Sequence, residues 1–272
     1  MSWLARPATE TGITHRGRVW LYVLGGVLLA FLVLPTLIVI PMSFSASRFL
    51  EFPPRHLSLR WYAHYFDSTE WRDATATSFE VATMTAVAAT TLGTAAAYGL
   101  LNCGIRLGRF VGALLLTPIL VPVILIAIGV FYVDVKLRLL HTLLGLVMAD
   151  STLAIPVVTL VVSAALRGHD MRQEMAARSL GATRFGAFMR VTLPQIRFAI
   201  ITATVLSFLT AFDEVVIALF ISGGSHPTLT RTMFNALRDQ IDPTIAAIST
   251  LMILVSSVLL GLTLIGRGRD GS

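Results

Sequence analysis

The sequence predicts an all-α membrane protein with six transmembrane helices, both termini cytoplasmic, and an amphipathic cytoplasmic helix between spans 4 and 5. Three observations carry that prediction. Of 272 residues, 55% are hydrophobic and 13% charged, and the mean hydropathy is +0.78, too apolar for a water-soluble domain. Six stretches, about 19–44, 81–101, 110–133, 143–166, 198–221 and 244–265, approach the ~20 apolar residues that cross a ~30 Å hydrocarbon core. The basic residues also divide unevenly between alternate loops. Thirteen lie on one side: Arg6, Arg16 and Arg18, then Arg106 and Arg109, six arginines from Arg167 to Arg197, and Arg267 with Arg269. Eight lie on the other side, in longer loops. The positive-inside rule then places the tail 1–18, the loop 167–197 and the C-terminus in the cytoplasm, with 45–78 and 222–242 outside. The net charge of +6 is therefore mostly topology and calls for no nucleic-acid partner. Few charges and many aliphatic residues exclude disorder, and a single Cys103 excludes a disulfide scaffold.

The stretches differ in texture. Span 1 follows Arg16 and Arg18 but runs uncharged for about 25 residues, longer than a signal-peptide core, so it is read as a retained helix. Its bulky aliphatic residues suit a peripheral helix facing lipid. Span 2 carries Ala89, Gly93 and Ala97 at four-residue spacing beside Thr90 and Thr94, which places it in the bundle interior. Span 3 holds Pro118 and Pro122, which remove backbone donors and open a bend, either lining a pathway or packed as a kink. Span 4 reaches full length only by starting near Leu143 and taking in Asp150; His141, Asp150 and Ser151 mark its outer end.

The segment 170–197 is amphipathic and too long for a tight connection. Met175, Ala176 and Leu180 precede a break at Gly181, and Phe185, Phe188 and Met189 follow it before Pro194. At helical spacing these side chains form a face that is costly to leave in water. Two covers fit it: the inner leaflet, or a cytosolic partner for which it is the docking helix.

Ala176-Ala177, three residues, Gly181, nine residues, Val191, then Leu193-Pro194 resembles the EAA motif of ABC importer permease subunits, which reads Glu-Ala-Ala, x3, Gly, x9, Ile-x-Leu-Pro. The pattern departs at one position: Met175 stands where the motif has Glu, and Glu174 sits one residue early, about 100° away on an ideal helix. Leu57-Ser58-Leu59-Arg60-Trp61-Tyr62 and the prolines of span 3 extend the resemblance. The run from Leu206 to Ile217 is similar to the fifth helix of spermidine/putrescine permease subunits.

This resemblance implies a single permease domain over 1–272 in the bacterial inner membrane, a subunit of a type I importer. It would form the pathway with a sister permease, as a heterodimer, above an ATPase dimer that holds ATP and Mg, and receive solute from an extracytoplasmic binding protein. Glu174, Met175, Ala176, Ala177, Leu180, Gly181, Phe185, Leu193 and Pro194 would be the ATPase-coupling residues, rocking spans 4 and 5 between inward-open and outward-open states. No Gly-x4-Gly-Lys-Ser/Thr loop, metal-ligand spacing or nucleophile–base–acid set occurs in the sequence, so the expected subunit is non-catalytic, with no cofactor or metal of its own.

Asp213 and Glu214 point to the solute. Each acid at mid-helix costs about 2.5 to 3.5 kcal/mol on insertion scales, so two in succession need cavity water or cationic partners. They are expected about two-thirds of the way across span 5, with Ser207, Thr210 and Glu214 on one polar stripe and Phe208 and Phe212 nearby. Carboxylates and rings together suit the ammonium groups and methylenes of an oligoamine. Two other roles remain open for the acids: a latch to an arginine of the sister permease, or a cap on an outer loop. Relatives that carry ferric iron or thiamine share the layout. An ion-coupled secondary transporter could also use two acids, but the long EAA-like loop and the lack of obvious paired repeats argue against it.

Overall fold

In lipid a backbone can satisfy its N–H and C=O groups only within its own segment or a closed barrel, and this apolar chain takes the helical solution. The computed structural model describes residues 18–239 and 241–268. Its helices are α1 (Val19–Ser43), α2 (Arg60–Asp67), α3 (Thr69–Asn102), α4 (Ile105–Leu120), α5 (Val123–Leu137), α6 (Leu143–Gly168), α7 (Arg172–Ser179), α8 (Arg184–Ala187), α9 (Leu193–Gln195), α10 (Arg197–Phe212), α11 (Val216–Ile221), α12 (Leu229–Asp239) and α13 (Thr244–Gly268), with a π-helical turn, Phe188–Thr192, between α8 and α9. Among the described residues, four helices are long and apolar enough to cross a membrane: α1, α3, α6 and α13. The number rises to six if two bent pairs each count as one span: α4 with α5, bent by 104°, and Arg184–Gln195 with α10, bent by 81°. The tail 1–17, with Arg6 and Arg16, and Arg269 lie outside the described residues.

The helix ends follow local chemistry. Ser68 starts α3 by accepting from the backbone N–H of Trp71, twelve residues before the expected start of span 2 at Val81. Counting uncharged residues missed this extension because Glu70, Arg72, Asp73 and Glu80 line it, while Trp71, Ala74, Thr77 and Ser78 are buried. Thr142 caps α6 in the same way, through the N–H of Gly145, and the full-length fourth span that includes Asp150 is found. The expected bend in span 3 falls at Val121–Pro122, between α4 and α5.

The chain packs as two compact units. The first comprises Met1–Tyr65 with Ile241–Leu251. In it the Ser43 hydroxyl bonds Ile40 O at 2.6 Å and the Tyr62 hydroxyl at 2.7 Å, Trp61 Nε1 donates to Ser47 O at 3.1 Å, and the Arg60 guanidinium lies 4.5 Å over the Trp61 ring. The Arg60-Trp61-Tyr62 run therefore closes the loop after α1. Large residues of α1 such as Leu29, Phe31 and Leu32 are exposed, as a lipid-facing helix requires.

The second unit comprises Phe66–Gln240 with Met252–Ser272. Its centre is α3 packed on α6 and α10. Ala89 and Ala97 of α3 are buried against Ala154, Val158, Val162 and Leu166 of α6 and Ala203 of α10, so the small-residue face of span 2 does lie inside. Gly93 makes the closest approach: a Cβ there would sit 2.7 Å from Val158 Cβ and Cγ1. Thr90 Oγ1 donates to Thr204 Oγ1 at 3.1 Å, tying α3 to α10. A second cluster gathers Val81, Ala127, Leu146, Val147, Ile217 and Ile221 from α3, α5, α6 and α11.

Overpacking the α3–α6 contact costs about 1–3 kcal/mol. Gly93→Val should therefore lower the thermal unfolding midpoint of the detergent-purified protein. Gly99→Ala on the same helix meets nothing within 4 Å and should leave the midpoint unchanged or slightly raised. Equal midpoints for Gly93→Val and wild type would remove this contact from the core of the fold.

Candidate functional site

The fifth apolar stretch is not one helix. α10 stops at Phe212, Asp213 closes its last turn by donating N–H to Leu209 O at 3.0 Å, and the chain restarts as α11 at Val216. Asp213 and Glu214 are thus not mid-helix residues, as expected from sequence; they occupy the break. The reason is local. Glu214 Oε1 accepts from the N–H of Val216 at 2.7 Å and of Ile217 at 3.0 Å, satisfying the two orphan donors that begin α11. Thr230 of α12 donates to Glu214 O at 2.9 Å, so the carbonyl of Glu214 is also paired.

Ser207 and Thr210 lie three residues apart on α10, whereas Glu214 lies beyond its end. Thr210 Oγ1 turns back to Leu206 O at 2.8 Å, and Ser207 is fully buried, its hydroxyl without a hydrogen-bond partner among the described residues. Phe208 and Phe212 are together, as expected, with ring centroids 5.5 Å apart and planes 15° from parallel. The sequence reading missed the third ring. Phe79 of α3 lies 5.8 Å from Phe208 and 4.9 Å from Phe212, the latter edge-on. It precedes the expected start of span 2, and only the Ser68 cap signalled that the helix already ran there.

Asp213 is exposed and borders a cavity of about 420 Å³ between α10 and α13, with Phe212, Met252, Ser256 and Ser257 around it. Glu214 is half-buried, and Asp150 of α6 is buried. The two neighbouring acids of the sequence therefore have different tasks. Glu214 holds the backbone turn, and Asp213 faces a cavity also lined by Phe212, Ser256 and Ser257.

At the other end of α6, the loop 167–197 presents the expected apolar face. Met175, Leu180, Phe185 and Met189 are exposed, Leu180 at 90%. Gly181 turns the chain between α7 and α8 with φ +95°, where a side chain would be strained, and Thr183 caps α8. Ala176 and Pro194 are also exposed, and Ala177 and Leu193 half-buried. Phe188 leaves the outer face and packs on the Tyr98 ring at 4.6 Å. Glu174 also faces inward: it is 2% exposed, and its carboxylate accepts hydrogen bonds from the hydroxyls of Tyr98 and Thr192. The displacement of the acid from the Met175 position thus puts the carboxylate inside the fold and leaves an apolar Met175 on the surface.

Residues 89–267 match the family described as binding-protein-dependent transport system inner membrane component. The chain is 28% identical over 230 residues to the spermidine/putrescine transport system permease protein PotC of Escherichia coli (strain K12), covering 85% of this chain and 87% of that one. It is 32% identical over 236 residues to the putrescine transport system permease protein PotI of the same strain, covering 82% of each. Its fold resembles a chain in the crystal structure of a bacterial alginate ABC transporter in complex with an alginate pentasaccharide-bound periplasmic protein, with a TM-score of 0.65 at 15% identity over 93% of this chain and 97% of that one.

The division of labour between the acids is testable by stability. Glu214→Ala removes the acceptor for two backbone donors and should cost about 1 kcal/mol, as lost helix caps do. Glu214→Gln keeps an acceptor oxygen and should cost less, and Asp213→Asn should not move the unfolding midpoint. Equal destabilisation by Glu214→Ala and Asp213→Asn would contradict the assignment.

Proposed function

Because the chain belongs to the family of binding-protein-dependent transport system inner membrane components and is a permease of the type I ABC importer class, we propose that it forms one half of a polyamine-conducting pathway, with spermidine and putrescine as solutes. In this reading residues 1–272 act as one permease domain of six spans, with both termini and the α7–α8 loop cytoplasmic. A sister permease completes the pathway, an ATPase dimer binding ATP and Mg docks on the loop, and an extracytoplasmic binding protein delivers the solute.

The observation that carries the solute assignment is Asp213. Asp213 is exposed and lines a cavity together with Phe212, whose ring stacks on Phe208, while its neighbour Glu214 is engaged by the backbone. An ammonium group is held there by charge and its methylenes by ring and Met252 surface. The likeness to two polyamine permeases supports the same class of solute. Cation recognition falls to Asp213, and Glu214 contributes by fixing the turn that presents it.

The coupling assignment rests on the exposed face of Met175, Leu180, Phe185 and Met189. Ala176, Ala177, Gly181, Leu193 and Pro194 shape the loop that carries it. An apolar face of this size on a cytoplasmic loop fits burial in a groove of the ATPase.

Two measurements on the complete complex in liposomes test this reading. Asp213→Asn keeps size but removes charge, so spermidine uptake should fall tenfold or more, equivalent to ~1.4 kcal/mol, while the binding protein's affinity stays unchanged. Wild-type uptake by Asp213→Asn would exclude a charge-selective contact. Leu180→Asp places a charge on the docking face and should strip the ATPase from the purified complex or uncouple hydrolysis from uptake; full coupling in that variant would refute docking through this face.

A further inference from the structure

We propose that Glu174 is a positioning residue that clasps the α7–α8 loop to α3, so that motion of the loop enters the membrane bundle through Tyr98 as well as through its chain connections to α6 and α10. This inference rests on the reading of that loop as the ATPase contact. Within the loop Glu174 is the buried carboxylate, and it is held by neutral hydroxyls: Oε1 by Tyr98, 76 residues away on α3, and Oε2 by Thr192, at 2.6 Å, on the π-helical turn. Burying a carboxylate is costly. Two charge-assisted hydrogen bonds offset that cost, and they are directional where apolar packing is not. The clasp therefore fixes an angle between loop and helix.

The surroundings reinforce it. The Tyr98 ring is flanked by Phe188 at 4.6 Å and by the Arg184 guanidinium at 5.7 Å, both from the segment that follows Gly181. Thr192 is fully buried, so its hydroxyl has no water to turn to. Elements on both sides of the Gly181 turn thus converge on one residue of α3.

α3 has the properties of a rod. It runs unbroken from Thr69 to Asn102 without proline, and at Gly93 it is locked against α6. Phe79 lies nineteen residues from Tyr98, about 28 Å at 1.5 Å per residue. That ring packs on Phe212, beside Asp213. One continuous helix therefore connects the clasp near its C-terminal end to the aromatic and acidic site at Phe79, and a displacement at Tyr98 is delivered to the wall of that site.

The test uses the complete complex in liposomes, with Cys103→Ser removing the native thiol and Phe79→Cys reporting on the far end of α3. Trapping the ATPases with ATP and vanadate should change the maleimide labelling rate of that cysteine several-fold. In the added Tyr98→Phe/Thr192→Val variant the change should vanish and solute moved per ATP should fall about tenfold, with the ATPase still copurifying at the parent ratio. Glu174→Gln can still accept from one hydroxyl and donate to the other, and should retain part of the response. A labelling change that persists in the double variant overturns the clasp, as does a parent that shows none on trapping. Loss of the ATPase with the double variant also overturns it, because the residues would then shape the docking face. The labelling readout needs no solute, so a complex that imports no polyamine refutes the solute assignment while the clasp is still decided.

Discussion

The contact on which the second unit depends is the close approach of α3 to α6 at Gly93 and Val158. Lipid offers no hydrophobic gain for bringing two apolar helices together, so their association rests on van der Waals fit. Small residues make the fit: Ala89, Gly93 and Ala97 on one helix meet Ala154 and Val158 on the other. With the two backbones this near, α10 can lay Ala203 on the same cluster and Thr204 against Thr90. The clasp at Tyr98 and the ring contact at Phe79 are then held nineteen residues apart on one continuous helix.

Away from that contact, polar groups decide where helices stop. The Glu214 carboxylate accepts from the first backbone N–H groups of α11, where the chain restarts after α10. Ser78 accepts from the N–H of Leu229 at 2.8 Å and anchors the start of α12 to α3 in the same manner. Each such group is paired within the protein because unpaired backbone in an apolar setting is expensive. The freedom of Asp213 follows from this economy of partners: the neighbouring acid has already met the needs of the turn.

The loop 167–197 shows the same sorting by environment. Met175, Leu180, Phe185 and Met189 are exposed on it, while Glu174 is buried and accepts from both Tyr98 and the buried Thr192. An inward carboxylate and an outward methionine invert the usual preference of a water-facing loop. The inversion is consistent with a segment that has partners on both sides.

The sequence by itself determined what depends on composition and period. The limits of α1, α6 and α13, the buried face of α3, the bend at Pro122 and the exposed apolar face of the loop could be read directly, because run length, four-residue spacing and proline chemistry act within one segment. Tertiary structure alone decided what depends on partners far along the chain. Two adjacent acids look alike in sequence, and only Glu214's bonds to the backbone of α11, with Thr230 closing the break, separate its role from that of Asp213. Glu174 looked like a misplaced motif residue until Tyr98 and Thr192 came to it, and Phe79 joined the aromatic site only because α3 extends past the apolar core. Hydrogen bonds and ring contacts of this kind are fixed by where the helices cross, and a linear pattern of residues does not record the crossings.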